Sequence, residues 1–548
     1  MLPGILKEKR FSSYEDLKKR YQISVPENFN FAWDVVDRWA QWDENKLALL
    51  WMDDFGNRRE FTFADISRYS KKAANYFKSL GLKRGDMAMM MLGRRWEYWV
   101  CAVALHRMGV VLIPTSIQMS AKDITYRVNA AKIKMMVCVN DDYAASQIMQ
   151  AKGNCPSLQH ILVAGGKREG FESFDEGFES ASEDYEREEN SNDDLFIIYF
   201  TSGTTGMPKM VAHDFTYPLG HVTTAHLWHQ CLDGGLHLTV SDSGWAKFGW
   251  GCIYGQWICG SAILGYDPEK FNARNLINII KKERPTTVCV PPTIYRFMMK
   301  EGLTGKDFES VRHCTTAGEP LSPEVNKEFF AITGLMISEG FGQSESSVMC
   351  ASFEWFRPTP GSMGKPSPLY DIVIIDTDGN ECADGQEGEL VVRGMDKYQP
   401  PGLLKGYYSE GEIISPFKEG NYHTGDVVWR DESGYFWFVG RNDDIIKCSG
   451  YRIGPFEIES VLLTHPAVHE CAIVGAPDPI RGQVVKAVIV PSADASPCDA
   501  LTKELQDYVK KMTAPYKYPR IIEYVPALPK TVSGKISRNR IRIGEKVK

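Results

Sequence analysis

The stretch TSGTTGMPK, residues 201–209, follows directly on an apolar run, residues 195–200, that is typical of a buried strand. Its two glycines allow tight turns in which successive backbone N–H groups converge on an anion, and its four hydroxyls add donors. The final lysine adds a positive charge. This order predicts a strand followed by a phosphate-binding loop, with a surface turn as the alternative. The candidate phosphate-binding residues are Thr201, Ser202, Gly203, Thr204, Thr205, Gly206 and Lys209.

The stretch differs from a Walker A loop, in which the lysine follows directly on a glycine. Here Met207 and Pro208 separate Gly206 from Lys209. A phosphate site of a different kind is therefore expected.

The chain has 548 residues, enough for one large domain and a smaller second one. Its 63 basic and 70 acidic residues leave a net charge of −7, and the isoelectric point is near 6.0. Nucleic-acid binding is not expected, because that function usually accompanies a basic patch or a high isoelectric point.

Thirteen cysteines are scattered singly, so we expect neither a zinc site nor a disulfide framework but buried thiols in a reducing compartment. The first 20 residues carry three acidic side chains and no long apolar core, unlike a signal or transit peptide. The apolar window 98–114 contains His106 and Arg107 and is too polar for a membrane span. We therefore expect a soluble cytoplasmic protein. The sequence leaves open whether it forms a homodimer.

Short apolar runs alternate with helical segments, which predicts an α/β architecture with largely parallel sheets. A helix is expected over 96–107. The acidic run 179–194 is expected to be a solvated loop that joins two subdomains. The expected strands are 47–52, 87–92, 109–114 and 134–139.

The pattern changes after Gly440, where an α+β arrangement begins. We place the domain boundary near Asp443, which gives a large domain over 1–442 and a small one over 443–548. Expected elements of the small domain are helices over 454–464 and 501–512 and strands over 470–475 and 486–491.

Five further motifs follow the phosphate-binding stretch. They are AGEPL (317–321), GFGQSE (340–345), YHTGD (422–426), GRNDDIIK with SGYR (440–447 and 449–452) and PKTVSGK (529–535). In this order the chain resembles the adenylate-forming superfamily, which includes acyl-CoA synthetases, adenylation domains of peptide synthetases and luciferases. The resemblance extends from the stretch to the C-terminus. It implies a large domain of stacked sheets with helices and a smaller mobile C-terminal domain.

The resemblance implies a chemistry that solves one problem: a carboxylate is a poor acyl donor, because its leaving group would be oxide. Attack on the α-phosphorus of ATP gives an acyl-adenylate and diphosphate, and a thiol then displaces AMP. ATP, Mg²⁺ and coenzyme A are the implied substrates and cofactors.

The motifs imply the roles of the nucleotide site. Phe341 would stack on adenine and Ser344 would lie near the α-phosphate, although the family more often has Tyr and Thr there. Glu345 would hold Mg²⁺, and Asp426 would accept both ribose hydroxyls. Lys535 would bridge the acyl carboxylate and the α-phosphate. The remaining nucleotide-binding candidates are Gly318, Glu319, Pro320, Glu339, Gly340, Gly342, Gln343 and Arg441.

The small domain is implied to swing about Asp443, so that one site serves both half-reactions. Gly450 would let the pantetheine arm pass. For arginine and lysine in this domain, ordinary solvated surface positions are the alternative to phosphate contacts. The candidate CoA residues are Ser449, Gly450, Tyr451, Arg452, Arg481, Lys517 and Arg520.

Residues 241–250, SDSGWAKFGW, resemble the medium-chain acyl-CoA synthetase branch. Their aromatic side chains could line an acyl pocket or simply belong to the core. Lys247 is expected to extend to solvent, to pair with an acidic residue or to contact the substrate carboxylate, because an unpaired buried charge is costly. The candidate acyl-pocket residues are Trp245, Lys247, Trp250, Gly251, Tyr254 and Gly342.

We therefore predict an ATP-dependent, AMP-forming acyl-CoA synthetase for medium-chain, branched or aromatic acids. Alternatives are an adenylation enzyme that loads a carrier protein, a luciferase-like oxygenase and a non-catalytic nucleotide or acyl binder. The partners expected are the small acid, ATP and CoA.

Overall fold

The structure is a computed structural model that describes residues 1–201, 208–319, 321–448, 451–530 and 536–544, except for the side chain of Arg452. The strands are β1 (Leu47–Asp53), β2 (Arg58–Thr62), β3 (Met87–Met91), β4 (Val111–Pro114), β5 (Met135–Val139), β6 (His160–Ala164), β7 (Glu172–Ser173), β8 (Leu195–Thr201), β9 (Lys209–Asp214), β10 (Leu236–Thr239), β11 (Ala262–Asp267), β12 (Thr287–Cys289), β13 (His313–Thr316), β14 (Ile337–Phe341), β15 (Cys350–Ala351), β16 (Lys365–Pro366), β17 (Ile372–Ile375), β18 (Gly388–Val392), β19 (Gly406–Ser409), β20 (Glu412–Ile414), β21 (Tyr422–Arg430), β22 (Phe436–Arg441), β23 (Ile446–Cys448), β24 (Tyr451–Ile453), β25 (Val468–Asp478), β26 (Gly482–Pro491) and β27 (Ile521–Tyr524).

Helices connect many of these strands, mainly in the first unit. The α-helices are α1 (Tyr14–Arg20), α2 (Arg38–Trp42), α3 (Phe63–Ser79), α4 (Glu97–Arg107), α5 (Ala121–Ala131), α6 (Asp142–Lys152), α7 (Phe174–Ser180), α8 (Tyr217–Val222), α9 (Ala246–Gly251), α10 (Tyr254–Cys259), α11 (Ala273–Glu283), α12 (Pro292–Lys300), α13 (Pro323–Thr333), α14 (Pro455–Leu462), α15 (Asp499–Met512) and α16 (Arg538–Arg542).

The chain divides into two compact units. Over the described positions, the first comprises residues 1–201, 208–371 and 394–420, and the second comprises residues 372–393 and 421–544. The boundary near Asp443 stays a prediction. Residues 372–393 and 421–442, which we assigned to the large domain, group by their contacts with the second unit.

The first unit contains two nine-stranded sheets, in the orders β16-β15-β14-β13-β12-β10-β11-β1-β2 and β20-β19-β9-β8-β4-β3-β5-β6-β7. From β14 to β1 and from β8 to β7 neighbouring strands are parallel. The predicted α/β fold is confirmed, and the four strands expected before residue 140 are β1, β3, β4 and β5.

Local sequence signals explain where several helices begin. The Thr62 side chain accepts from the Asp65 N–H, and the Asp65 carboxylate accepts from the Thr62 N–H, a capping box that starts α3. At α5 the Ser120 side chain accepts from the Asp123 N–H, which is a simple N-cap without the reciprocal bond. α4 is buried on all sides, because it packs between other elements of the unit.

The second unit contains a four-stranded antiparallel sheet, β17-β18-β21-β22, and a five-stranded sheet in which β27 joins β24-β23-β26-β25. The α+β pattern predicted after Gly440 is confirmed by α14, β25, β26 and α15. α14 and α15 pack on the five-stranded sheet through Ile458, Leu462 and Leu505.

The acidic run 179–194 forms a mostly exposed loop, as expected, but it does not join two subdomains. It leads from α7 to β8, and β7 and β8 belong to the same sheet. The Arg187 guanidinium pairs with Asp34, and Lys78 pairs with Glu188 at 2.7 Å. These charges hold the loop against the unit, which composition alone does not reveal.

The cysteines follow the expectation of buried thiols: twelve are buried and Cys498 is exposed. In the described part of the chain no helix is both long enough and apolar enough to cross a membrane.

Candidate active site

The two ends of the predicted phosphate-binding stretch, Thr201 and Lys209, lie on the paired strands of a β-hairpin. β8 and β9 pair antiparallel, with Thr201 opposite Lys209 and Phe200 opposite Met210. Both ends of the stretch therefore meet at the carboxyl end of β8, the edge of an α/β sheet at which ligands bind. The predicted phosphate contacts of Ser202, Gly203, Thr204, Thr205 and Gly206 fall outside the described residues and stay predictions.

Lys209 and Glu345 both contact one tyrosine. The Lys209 Nζ lies 4.9 Å from the centre of the Tyr407 ring, and the Tyr407 hydroxyl donates a 3.1 Å hydrogen bond to Glu345 Oε1. Tyr407 is on β19, opposite Val211 of β9, so strand pairing sets its position. The predicted phosphate cation and the predicted metal ligand thus lie beside the same ring.

The turn after β14 is fixed through its backbone. The Ser344 carbonyl accepts a 2.8 Å hydrogen bond from Nε2 of His213, and the Glu345 carbonyl accepts one of 2.7 Å from the Leu404 N–H. Burial lowers the pKa of His213 to about 4, so the ring is neutral at pH 7. Because a carbonyl only accepts, Nε2 carries the hydrogen. The turn that carries Ser344 and Glu345 is therefore held without adding charge.

Glu339 places a neutral carboxyl group on β14. Its side chain is buried, and burial raises its pKa to about 8, although the Leu321 N–H donates to it. Its Oε2 has no hydrogen-bond partner among the described residues. At neutral pH the group is protonated and can donate as well as accept, which suits the predicted contact with the nucleotide.

Lys247 links residues 241–250, which we call the acid-side stretch after its predicted role, to residues 317–321, which we call the adenine-side loop for the same reason. Its Nζ donates a 2.9 Å hydrogen bond to the carbonyl of Ala317, directly before Gly318. Gly318 has a φ of +94°, which favours glycine at this turn. Glu319 accepts from the Thr293 hydroxyl at 3.0 Å. Pro320 lies outside the described residues. From the sequence we expected Lys247 to reach solvent, an acidic residue or the substrate carboxylate. The observed hydrogen bond to a backbone carbonyl is none of these.

Trp250 makes a second link between the two stretches. A β-carbon at Gly342 would lie 2.4 Å from the Trp250 ring, so only glycine allows this approach. Gly340 is packed in the same way against Trp228, which meets Trp250 edge-on with ring centres 6.2 Å apart. The acid-side stretch thus touches the GFGQSE motif directly.

The other predicted acyl-pocket residues differ in their surroundings. Tyr254 lies in an aromatic cluster: its ring is edge-on to Phe31 at 5.1 Å, and its hydroxyl pairs with His106 Nε2 at 3.0 Å. Gly251 lies against Thr239, and Trp245 is partly buried beside the apolar core of the second sheet. Tyr254 is thus a core residue in its contacts, and its predicted role in the acyl pocket is not tested.

Within the second unit, Asp426 and Arg441 face each other across β21 and β22. Arg441 donates from one guanidinium nitrogen to Asp426 Oδ1 at 3.2 Å and to the Thr424 carbonyl at 3.0 Å. Gly425, which directly precedes Asp426, has a φ of +72°. A larger residue would not fit easily there, since its β-carbon would lie 3.0 Å from Arg441. The predicted ribose carboxylate and its arginine are therefore a preformed pair.

The predicted hinge and CoA residues lie in the second unit. Asp443 is in the turn between β22 and β23, 3.9 Å from Arg441. Tyr451 stacks on Tyr516 with ring centres 4.2 Å apart. Lys517 pairs with Glu457, Arg520 donates to the Tyr518 hydroxyl at 2.7 Å, and the Arg481 side chain is half-buried. Ser449, Gly450, Lys535 and the side chain of Arg452 are outside the described part.

Sequence reasoning missed Tyr407 and His213. Neither belongs to one of the motifs, and their contacts with residues 344 and 345 depend on strand register. A histidine in a strand that continues from a phosphate-binding stretch is the one signal that could have pointed to His213.

Comparisons with known proteins agree with this site. Residues 36–408 match the family model of AMP-binding enzyme, and residues 457–535 match that of the AMP-binding enzyme C-terminal domain. Acyl-coenzyme A synthetase ACSM3, mitochondrial, of Mus musculus is 39% identical over 543 residues, which cover 97% of this chain and 93% of that protein. Acyl-coenzyme A synthetase ACSM5, mitochondrial, of Mus musculus is 41% identical over 529 residues, covering 94% and 91%.

Solved structures have the same fold. The anthranilate CoA ligase AuaEII, crystallised in complex with anthranoyl-AMP, has a TM-score of 0.86 and 26% identity over 95% of this chain and 98% of its own. A benzoate CoA ligase from Burkholderia xenovorans LB400 has a TM-score of 0.81 and 24% identity over 94% and 100%. The chain belongs to the family of AMP-binding enzymes, and its resemblance to the adenylate-forming superfamily is confirmed.

The buried carboxyl of Glu339 predicts a pH-dependent stability. The pKa of the buried Glu339 is about 8, whereas that of an exposed glutamate is 4.5. Between these values the unfolded state binds fewer protons, so the contribution of Glu339 to stability falls as pH rises. The melting temperature of Glu339→Gln should therefore rise relative to the wild type from pH 5 to pH 8 and stay level above.

Ser352→Ala is the matched control, because it removes a neighbouring polar group that does not titrate near these pH values. Its melting temperature should differ from the wild type by the same amount at every pH. A difference for Glu339→Gln that is equally constant would show that the carboxyl is ionised in the folded protein.

Proposed function

We propose that the protein is an ATP-dependent acyl-CoA synthetase, which converts a carboxylic acid, ATP and CoA into acyl-CoA, AMP and diphosphate through an acyl-adenylate. The observation that supports this best is the double link between the acid-side stretch and the nucleotide motifs. Lys247 binds the carbonyl before Gly318, and Trp250 packs on Gly342. An enzyme that joins an acid to a nucleotide needs such adjacency, because reacting groups must be held in contact.

The residues of the first unit would position the triphosphate and the acid. Lys209 supplies positive charge to the phosphates, and Phe341 presents an aromatic face to adenine. The protonated Glu339 offers a donor near the base. In the second unit, Asp426 accepts the ribose hydroxyls beside Arg441. Lys535 stabilises the charge that develops as the carboxylate attacks the α-phosphorus.

Glu345 fits the part of a magnesium ligand. Its carboxylate lies beside the Lys209–Tyr407 pair, and Mg²⁺ typically binds one or two protein carboxylates together with substrate phosphates and water. The ion would neutralise charge on the phosphates of ATP.

CoA is the proposed acyl acceptor. Rotation about Asp443 would exchange Lys535 for the surface with Tyr451, Arg481 and Arg520, so that the thiol reaches the acyl-adenylate.

We propose a medium-chain, branched or aromatic acid, because two large aromatic side chains of the acid-side stretch could line its pocket. Trp250 packs against Gly342, and Trp245 lies beside the apolar core of the second sheet. A role in fatty acid metabolism and a homodimeric state are further proposals. A cytoplasmic location is also proposed, although the two curated relatives described above are named mitochondrial.

Diphosphate release tests the proposed reaction. The protein would be incubated with ATP, Mg²⁺ and acids from acetate to dodecanoate, 2-methylbutyrate and benzoate, with and without CoA. Continuous release only with CoA, highest for one class of acid, is expected. A single turnover that CoA does not discharge would indicate a carrier protein as acceptor, and no release with ATP binding intact would contradict the proposed activity.

Trp250→Phe should change acid preference. The smaller ring leaves space beside Gly342, so kcat/KM for 2-methylbutyrate or benzoate should rise relative to butyrate by up to roughly tenfold. Trp257→Phe is the matched control, since Trp257 is buried in the aromatic core and its Nε1 donates to the Ala48 carbonyl. An unchanged acid profile in folded Trp250→Phe would assign this ring to the core alone.

Lys535→Ala should separate the half-reactions. Adenylate formation should fall by roughly 100-fold or more, because a charge-stabilising group is lost. Thioester formation from supplied acyl-adenylate should be nearly unchanged. Lys530→Ala is the control. Lys530 lies in the same motif as Lys535 and pairs with Glu470, so this change should affect neither step strongly. Equal losses of both steps in Lys535→Ala would refute the assigned role.

A further inference from the structure

One buried arginine, Arg127 of α5, has no counter-ion among the described residues. It is 5% exposed, and its guanidinium lies 4.7 Å from the centre of the Phe200 ring. One terminal guanidinium nitrogen, Nη1, is buried without a hydrogen-bond partner in the described part of the chain. No hydrogen bond or ion pair connects the side chain to another residue in the described ranges. Such a side chain is unusual, because a buried charge without a partner is costly.

Arg107 shows how the same unit treats a buried arginine elsewhere. It is fully buried, and two of its nitrogens donate to the two Asp37 oxygens at 2.8 Å each. Ser70 accepts a third hydrogen bond at 3.0 Å. Its ring contact, 4.2 Å from the centre of Trp33, resembles that of Arg127 with Phe200. The two arginines differ mainly in that one has a carboxylate and the other does not.

The nearest acidic groups are engaged elsewhere. Asp123 accepts from the Ser120 hydroxyl, and Asp242 accepts from the Ser116 hydroxyl and the Gly244 N–H. Burial lowers the pKa of Arg127 to about 10, and these carboxylates offset it only in part, so the group remains cationic at neutral pH. The positive charge is therefore retained, although no carboxylate of the described residues forms an ion pair with it.

The position of α5 relates this charge to the phosphate-binding stretch. Phe200, under the guanidinium, precedes Thr201 at the carboxyl end of β8. The neighbouring Tyr126 donates a 3.0 Å hydrogen bond to the carbonyl of Pro208, directly before Lys209. The helix thus contacts the residues on both sides of the stretch.

We propose that Arg127 is a polyphosphate-binding residue whose unpaired charge is balanced by the β- and γ-phosphates of ATP and by the diphosphate product. This inference rests on the proposed nucleotide site and goes beyond it, since Arg127 belongs to none of the nucleotide motifs. Arginine suits the role, because it stays charged when desolvated and forms several hydrogen bonds with phosphate groups. The charge makes ligand-free folding less favourable and polyphosphate binding more favourable.

Arg127→Met tests the proposal, since methionine keeps an unbranched side chain and removes the charge. The melting temperature of the ligand-free variant should equal or exceed that of the wild type, because replacing an uncompensated buried charge by an apolar group is often stabilising. Its affinities for ATP and for inorganic diphosphate, measured by calorimetry, should fall roughly tenfold or more. Its affinity for AMP, which lacks these phosphates, should change less than about twofold.

Arg107→Met is the matched control. It leaves Asp37 buried without its partner, so its melting temperature should fall while the ratio of ATP to AMP affinity stays that of the wild type. Arg127→Lys keeps a charge and should retain most of this ratio. Arg127→Gln removes the charge but stays polar, and it serves in place of Arg127→Met if that variant does not fold.

Two results would overturn the inference. A lower ligand-free melting temperature with an unchanged ATP to AMP ratio in Arg127→Met would assign Arg127 a structural role. Loss of AMP affinity equal to the loss of ATP affinity would place its effect on the nucleoside end. A wild-type protein that binds neither ATP nor diphosphate would instead contradict the proposed function itself.

Discussion

The antiparallel pairing of β9 with β8 sets the geometry on which the nucleotide site depends. β8 otherwise lies beside a parallel strand, which needs a long crossover connection, whereas the hairpin returns at once. Thr201 and Lys209 therefore stand opposite each other, and β19 continues the ladder on the far side of β9. Through that register Tyr407 contacts both Lys209 and Glu345. Strand pairing, and not the motif residues alone, therefore places Lys209 and Glu345 beside the ring of Tyr407.

Charge is distributed sparingly around this hairpin. His213 and Glu339 are buried in their neutral forms, and the Lys247 ammonium is bonded to a backbone carbonyl. In a region of low dielectric each remaining charge acts strongly on a bound anion. Arg127, which is buried on α5, is the charge for which we propose this effect, and the exposed Lys209 is the other proposed phosphate contact. Electrostatic preference for a polyphosphate therefore requires few residues.

The sequence predicted the strands, including the one that leads into residues 201–209, because apolar runs and turn residues impose local conformations. The phosphate contacts of that stretch stay a prediction. It did not predict Tyr407, which lies 62 residues from its partner Glu345 in a segment without a distinctive pattern. Lys247 was identified but not its partner, since Ala317 differs from it by 70 positions and offers only a backbone atom. The acidic run was misassigned for a similar reason: its composition indicates a loop, but not which strands the loop connects.

The bond from Lys247 to Ala317 has a consequence for how acid preference can diverge. The lysine belongs to the stretch that we propose adjoins the acid, while its acceptor is part of the turn that we propose lies on the adenine side. In such a site, a substitution that repositions α9 to admit another acid would also move the donor that holds this turn. Substrate range and nucleotide affinity would then be pleiotropically coupled, and new acid specificities would be more accessible through side chains that leave the α9 backbone in place.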